Sequence, residues 1–137
     1  MARYENHNVG DLLIDRTLTV EGAADLASLR VNGITSSATS AADSLAIPVT
    51  ASYVAKTTGA DAEALTLADG VEGQMITISL VTDGGGDGTL TPATGSGFAT
   101  IVLADAGDTV TLRFVDSTVG WVIVGTTGVL GEPVITI

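Results

Sequence analysis

The chain lacks cysteine altogether, so disulfides and zinc-thiolate sites cannot hold its fold and no thiol nucleophile is present. Basic residues are also scarce: five Lys and Arg stand against 16 Asp and Glu, giving a net charge of −11 over 137 residues. Because phosphate recognition needs clustered Lys and Arg, this balance argues against a nucleic-acid partner. Aromatic residues make up only 4% of the chain, which leaves little surface for stacking on sugars.

Long hydrophobic runs are missing as well. The strongly apolar stretch 119–125 is far too short to cross a membrane. Residues 1–13 lack a basic region followed by a long apolar segment, so the sequence predicts no signal peptide. We therefore expect synthesis in a cytoplasm and no membrane association.

The residues that are abundant, Gly, Thr, Ser, Ala and Val, are typical of a β-protein with many tight turns. Short β-like runs recur from residue 48 onward, separated by Gly- and Asp-rich turn sequences. These runs predict eight strands, at 50–57, 63–68, 74–81, 88–92, 98–104, 108–115, 120–125 and 133–137.

Two of the predicted strands alternate cleanly between apolar and polar residues, over 76–80 and over 110–114. A period of two with one apolar face indicates a sheet that packs on one side. Many short strands of this kind predict an all-β domain, a compact β-sandwich or a jelly-roll-like fold. Segments 66–83 and 102–116 also resemble each other, which predicts two similar hairpins.

The N-terminal part has a different residue pattern, which predicts that it is organised separately from the β-domain. Residues 1–34 are interpreted as an extended arm followed by a short fibre-like segment, 35–47 as a linker of small polar residues, and 48–137 as the β-sandwich domain. Within 17–35 the pattern favours short strands and turns, and a helix over 22–31 remains the alternative.

The glycine-rich stretch TDGGGDGTL, residues 82–90, is the most conspicuous motif. An EF-hand would need ligands at alternating positions and a closing Glu, and a phosphate-binding loop would need a Lys after the glycines. Neither is present. The stretch is therefore predicted to be a turn between strands, with a cation on Asp83 and Asp87 as the alternative.

The sequence contains no recognisable arrangement of catalytic residues. His7 is the only histidine and lies in the arm, far from any partner in the β-domain. The carboxylate pairs Asp61 with Glu63, and Asp105 with Asp108, are interpreted as solvated polar residues of turns. We therefore predict a protein that is not an enzyme and that needs no cofactor and no metal.

Trp121 is the only tryptophan and stands in the predicted strand GWVIVG. It alternates with Ile123, so both side chains are expected on one face of the sheet. This position predicts a core or subunit-interface tryptophan, with a ligand platform as the alternative.

Residues 52–130, which begin SYVAKTTGA and contain LTLADGVEGQMITISLVTDGGG and GFATIVLADAGDTVTLRFVDSTVGWVIVG, resemble a β-domain of tailed-bacteriophage structural proteins. Residues 18–33, LTVEGAADLASLRVNG, are similar to the connectors of phage fibres and head attachments. The resemblance implies a capsid decoration (cement) or head-fibre protein on the virion surface. It also implies a homotrimer whose N-terminal segment binds the major capsid protein. A tail-fibre or adhesin component that binds a host receptor or glycan is the alternative.

The charge distribution indicates which part of the chain makes the expected contacts. Residues 57–137 contain ten acids and Arg113 as their only base, so this part is less suited to bind another acidic surface. Arginine and aromatic side chains are enriched where proteins meet, so the arm is the expected attachment segment. The capsid-binding residues of this hypothesis are Arg3, Tyr4, Leu12, Leu13, Ile14, Arg16 and Arg30. The residues expected at the trimer interface are Leu18, Val20, Leu26, Leu29 and Val31.

Overall fold

A computed structural model of the chain describes residues 37–128 and 133–137. Within these ranges the secondary structure consists of strands and turns without helix, so the all-β prediction is confirmed. The strands are β1 (Ser37–Ser40), β2 (Tyr53–Thr57), β3 (Glu63–Leu67), β4 (Met75–Thr82), β5 (Gly88–Pro92), β6 (Thr100–Leu103), β7 (Thr109–Phe114), β8 (Trp121–Thr127) and β9 (Val134–Thr136). The eight predicted strands correspond to β2 through β9.

The strands form two mixed sheets. The five-stranded sheet has the order β1-β2-β4-β7-β8, with β1, β2 and β4 parallel and the last two antiparallel to their neighbours. The four-stranded sheet has the order β3-β5-β6-β9, and only its β3–β5 pair is parallel. Their inward-facing side chains share one hydrophobic core, as in a sandwich.

The predicted alternation agrees with the burial of both strands. Ile76, Ile78 and Leu80 are fully buried, and the residues between them are half-buried. Strand β7 repeats the pattern, with buried Val110 and Leu112 on its inner side. Burying one such aliphatic side chain stabilises a fold by roughly 1.5–3 kcal/mol, so these two central strands contribute much of the core.

The linker predicted at 35–47 differs from what the structure shows for residues 37–47. Strand β1 pairs in parallel with β2, and the Leu45–Ile47 stretch exchanges backbone hydrogen bonds with Thr66 in β3. Ile47 itself lies in the core. Composition misled here because an edge strand has one neighbour only, so small Ser and Thr residues can form it without a continuous apolar face.

The two hairpins predicted from the internal similarity are also corrected. In segment 66–83 the chain leaves β3 in the four-stranded sheet and enters β4 in the other, and segment 102–116 connects β6 to β7 in the same way. The similar sequences are therefore two arches that cross between the sheets. A hairpin requires its two strands to pair with each other, whereas here β4 pairs with β7.

The strand directions define two ends of the sandwich. At the end we call the acidic end lie the connections 41–44, 58–62, 83–87 and 104–108. At the opposite end, called the entry end because β1 begins there at Ser37, lie the connections 48–52, 68–74, 93–99 and 115–120.

Candidate functional site

A buried ion pair joins the two sheets at the acidic end of the core. Lys56 on β2 and Glu63 at the start of β3 both point inward, and the Lys56 Nζ atom lies 2.6 Å from Glu63 Oε2. The side chains are 0% and 3% exposed. Because an isolated charge in this environment would be very costly, each group depends on the other for its burial.

Both charges also hold the loops around them. The Lys56 ammonium donates to the backbone carbonyls of Ala41 at 2.7 Å and Ser44 at 3.1 Å. Glu63 Oε1 accepts from the backbone N–H of Gly59 at 2.7 Å and of Asp43 at 3.1 Å, while the Lys56 ammonium is the described partner of its Oε2. The pair thus fixes the 41–44 connection and the turn after β2 in one hydrogen-bonded unit.

The ionisation of Glu63 follows from these contacts. Burial alone raises the pKa of this carboxyl, but the hydrogen bond from Lys56 outweighs it together with the N–H groups of Asp43 and Gly59. The net result is a pKa below the ordinary value of 4.5. The Lys56 ammonium donates to two backbone carbonyls besides its contact with the Glu63 carboxylate, and both side chains are buried. The pair is therefore suited to holding structure and not to turning over a substrate.

The TDGGGDGTL stretch packs against this same region, as the loop between β4 and β5. A side chain at Gly84 would place Cβ 2.3 Å from the Thr58 carbonyl oxygen, and one at Gly86 would place it 2.1 Å from the Asp61 oxygen. Gly85 has a φ of +103°, a conformation that favours glycine. The three consecutive glycines therefore serve close backbone packing, and the turn prediction is confirmed.

The acidic residues around this loop do not converge on one point. Asp43, Asp61 and Asp87 are exposed, and Asp83 accepts a local hydrogen bond from the Gly85 N–H at 2.7 Å. Over residues 37–128 and 133–137, no group of three or more His, Asp or Glu side chains is arranged to hold a metal ion.

Two carboxylates interpreted as solvated turn residues are in fact buried. Glu63 is 4% exposed and forms the ion pair, and Asp108 is 3% exposed. Asp108 Oδ2 accepts from the N–H groups of Ala104 at 2.9 Å and Asp105 at 3.1 Å, which closes the turn before β7. The interpretation was wrong for these two because an acid beside a turn can bend back to satisfy backbone donors.

Sequence reasoning also missed Lys56 as an interior residue, although a signal was present. In SYVAKT, Lys56 stands two positions after Val54, and in EALTL, Glu63 stands two positions before Leu65. Period-two alternation places each charge on the apolar face of its strand. This register could have indicated that both charges face the interior, although not that they pair with each other.

Trp121 closes the core at the entry end. It is fully buried, packs edge-to-face on Phe114 with ring centroids 5.3 Å apart, and donates from Nε1 to the Ala68 carbonyl at 3.0 Å. The prediction of a core tryptophan is confirmed, and full burial leaves no ring face for a ligand.

Charge is distributed unevenly over the described domain. Within the nine strands the only charged residues are the buried Lys56 and Glu63, and Arg113. The remaining described acids lie in the connections, and more of them lie at the acidic end than at the entry end. The outer surfaces of both sheets are consequently free of carboxylates.

The predicted attachment and trimer residues lie outside the described ranges. All twelve fall within 1–36: Arg3, Tyr4, Leu12, Leu13, Ile14, Arg16, Leu18, Val20, Leu26, Leu29, Arg30 and Val31. Their roles stay predictions.

Comparisons of the chain with protein-family profiles, with curated proteins and with solved structures found no match. In the part of the chain that the structure describes, no helix is long and apolar enough to span a membrane.

Proposed function

We propose that the protein is a non-enzymatic structural protein of a tailed-phage virion, a capsid decoration protein attached through residues 1–34 and assembled as a trimer. The observation that carries the proposal is the polarity of the β-sandwich. Residues 1–36 precede β1, and β1 starts at the entry end. The opposite end holds the acidic connections.

This polarity suits a module that is held at one end and displayed at the other. A strongly acidic end stays hydrated and repels like-charged surfaces, so it is better placed toward solvent than against another protein. The segment that leads into the entry end contains Arg3, Arg16 and Arg30, three of the five bases in the chain. Arginines at a docking segment can pair with carboxylates of the partner.

The buried ion pair supports a structural role in the same way. Its hydrogen bonds tie the 41–44 connection to β2 and β3, and so fix the part of the domain that follows β1. A displayed module benefits from a rigid body, and these bonds hold β2, β3 and the 41–44 connection together.

The proposal is tested by decorating purified heads that lack the protein. Deleting residues 1–16, or replacing Arg3 and Arg16 by Ala in the full-length chain, should abolish or strongly weaken binding to the heads. Far-UV circular dichroism should remain strand-dominated in both variants. The matched control is Asp83→Asn with Asp87→Asn at the opposite end, which should bind as the wild type does.

Unchanged decoration by the arm variants would place the attachment surface in the β-domain and contradict the proposal. Electron microscopy of labelled virions provides the second readout. Label scattered over the head is expected, whereas label confined to the tail would favour a fibre or adhesin component.

A further inference from the structure

The outer face of the five-stranded sheet combines three properties that favour a contact with another protein surface. The first is a set of hydroxyl groups that bond to each other across strands. Thr77 and Thr111 are joined through their Oγ1 atoms at 3.0 Å, and Thr109 Oγ1 donates to Ser79 Oγ at 2.9 Å. Because these hydroxyls bond to each other, each of the four would keep one hydrogen-bond partner if a protein surface displaced water from this face.

The second property is exposed apolar area on the same face. Met75 and Val81 are 49% and 46% exposed and belong to β4, the middle strand of the sheet. Val124 on β8 is 56% exposed. Toward the entry end, Met75 also lines a shallow cavity together with Val71, which is 71% exposed. These apolar side chains lie near the two ends of β4 and on the edge strand β8, so they are spread over the whole face. Exposed apolar area of this kind is a feature of contact surfaces.

The third property is the charge of this face. Arg113 is its single charged residue, and the carboxylate-bearing Glu72 lines the same surface cavity. Neither side chain forms an ion pair with the other described residues. In a chain of net charge −11, copies repel each other at most approaches, and a face whose strands carry no outward carboxylate is where they can meet.

The outer face of the four-stranded sheet is a weaker candidate. It is also free of charge, but its large exposed apolar side chain, Val134, lies on the edge strand β9 and not at the centre. On β5, one of its two central strands, the exposed residue Thr91 carries a hydroxyl group.

We propose that neighbouring copies of this chain contact each other through the outer face of the five-stranded sheet, around Met75 and Val81. Arg113 of one copy then pairs with Glu72 of the next. This inference rests on the trimer of the proposed function and adds to it a contact in the sandwich, beyond the N-terminal segment. Covering Met75 and Val81 near the two ends of β4 supplies apolar contact area, and the Arg–Glu pair supplies a polar contact.

The absence of cysteine makes a clean labelling experiment possible in the full-length protein. Val81→Cys places one thiol on the proposed contact, and Thr91→Cys places a matched thiol on the outer face of the other sheet. Each variant is reacted with a maleimide, and its rate is divided by the rate of the same variant unfolded in urea. Because the reagent needs an accessible thiolate, burial at the contact should slow Val81→Cys about tenfold relative to Thr91→Cys. Equal normalised rates would overturn the proposal.

A charge reversal tests the ion pair. Arg113→Glu should weaken association measured by sedimentation velocity about tenfold, because it places two carboxylates together. The double variant Arg113→Glu with Glu72→Arg should restore it. Failure of the double variant to recover association would overturn the pairing of Arg113 with Glu72.

The same measurements separate this inference from the proposed function. A monomeric wild type at micromolar concentration would overturn both the trimer and the contact. A stable oligomer in which Val81→Cys reacts as fast as Thr91→Cys would overturn the contact alone. Attachment to heads is read out independently by the decoration experiment.

Discussion

The two ends of the sandwich core are closed by opposite chemistry. At the acidic end Lys56 and Glu63 meet as a buried ion pair, with 2.6 Å between Nζ and Oε2. At the entry end Trp121 packs on Phe114, with the two ring planes at 68°. One closure relies on two charges and directional bonds, and the other on volume and apolar area.

The ion pair and the aromatic pair contribute to the fold in different ways. A buried ion pair gains little net stability over an apolar pair of equal size, since both charges lose their hydration. Its hydrogen bonds to loop carbonyls and N–H groups, however, fix the positions of the connections around it. The aromatic pair fixes fewer loop atoms but fills the core, so its loss should leave a cavity instead of an unpaired charge.

The largest effect is expected from removing one partner of the ion pair. Lys56→Met should lower the free energy of unfolding by about 3–5 kcal/mol, because Glu63 would remain buried without its cation. Urea unfolding followed by circular dichroism measures the change. Asp61→Asn, which removes an exposed charge at the same end, is the control and should shift stability by less than about 0.5 kcal/mol.

A second variant separates the loss of charge pairing from the loss of packing. In Lys56→Met with Glu63→Gln, the amide oxygen can still accept from the N–H groups of Asp43 and Gly59, and no charge is buried. This double variant should be more stable than Lys56→Met alone by at least about 1 kcal/mol. A double variant less stable than the single one would show that packing and not charge dominates at this end.

A smaller loss is expected at the entry end. Trp121→Phe removes part of the ring volume and leaves the Ala68 carbonyl without the indole N–H, so unfolding should become easier by about 2 kcal/mol. The measurement is again urea unfolding, with Ser117→Ala in the exposed turn before the same strand as control. A loss as large as that of Lys56→Met would remove the proposed contrast between the two ends.

The contrast also shows which parts of the structure were accessible from sequence. Alternation over 76–80 and 110–114 predicted strands and their inner faces, because each side of these strands has one kind of residue. The pairing of β4 with β7 was not predictable, since it depends on which strands enter the same sheet after two arches. Edge strand β1 was missed because Ser and Thr carry no periodic apolar signal.

Only part of the candidate site could be predicted from the sequence. The role of Trp121 followed from its place in an apolar strand, but Glu63 was assigned by residue type and not by register, and Lys56 was not singled out. Charged residues are rarely fully buried, and a sequence pattern alone does not reveal a partner on a different sheet. The glycine-rich loop was predicted as a turn, whereas the backbone contacts that require its glycines appear only in three dimensions.

The effect of pH should distinguish the two ends further. The pKa of Glu63 is lower in the folded protein than its ordinary value of 4.5, so the unfolded chain binds the proton more readily. The stabilisation from Glu63 is therefore complete above about pH 4.5 and is lost as pH falls through the lower pKa of the folded state. The wild type should lose more stability than Lys56→Met with Glu63→Gln over this acid range. Parallel pH profiles of the two proteins would contradict the prediction.

The smallest effect is expected from the acids of the glycine-rich loop. Replacing Asp83 and Asp87 by Asn should change the free energy of unfolding by less than about 0.5 kcal/mol. Asn at position 83 can still accept from the Gly85 N–H, and the Asp87 contact with the Glu63 N–H uses the backbone carbonyl. The melting temperature should also be the same with calcium and with a chelator, in wild type and variant.

The contrasting change in this loop is Gly86→Ala. Its Cβ would lie 2.1 Å from the Asp61 carbonyl oxygen, so the backbone must shift and stability should fall by about 1–3 kcal/mol. A calcium-dependent rise in the wild-type melting temperature that disappears in the Asn variant would mean that the loop binds a cation, since a ligand that binds the native state stabilises it by mass action. The acids and not the glycines would then be the reason for the sequence of this loop.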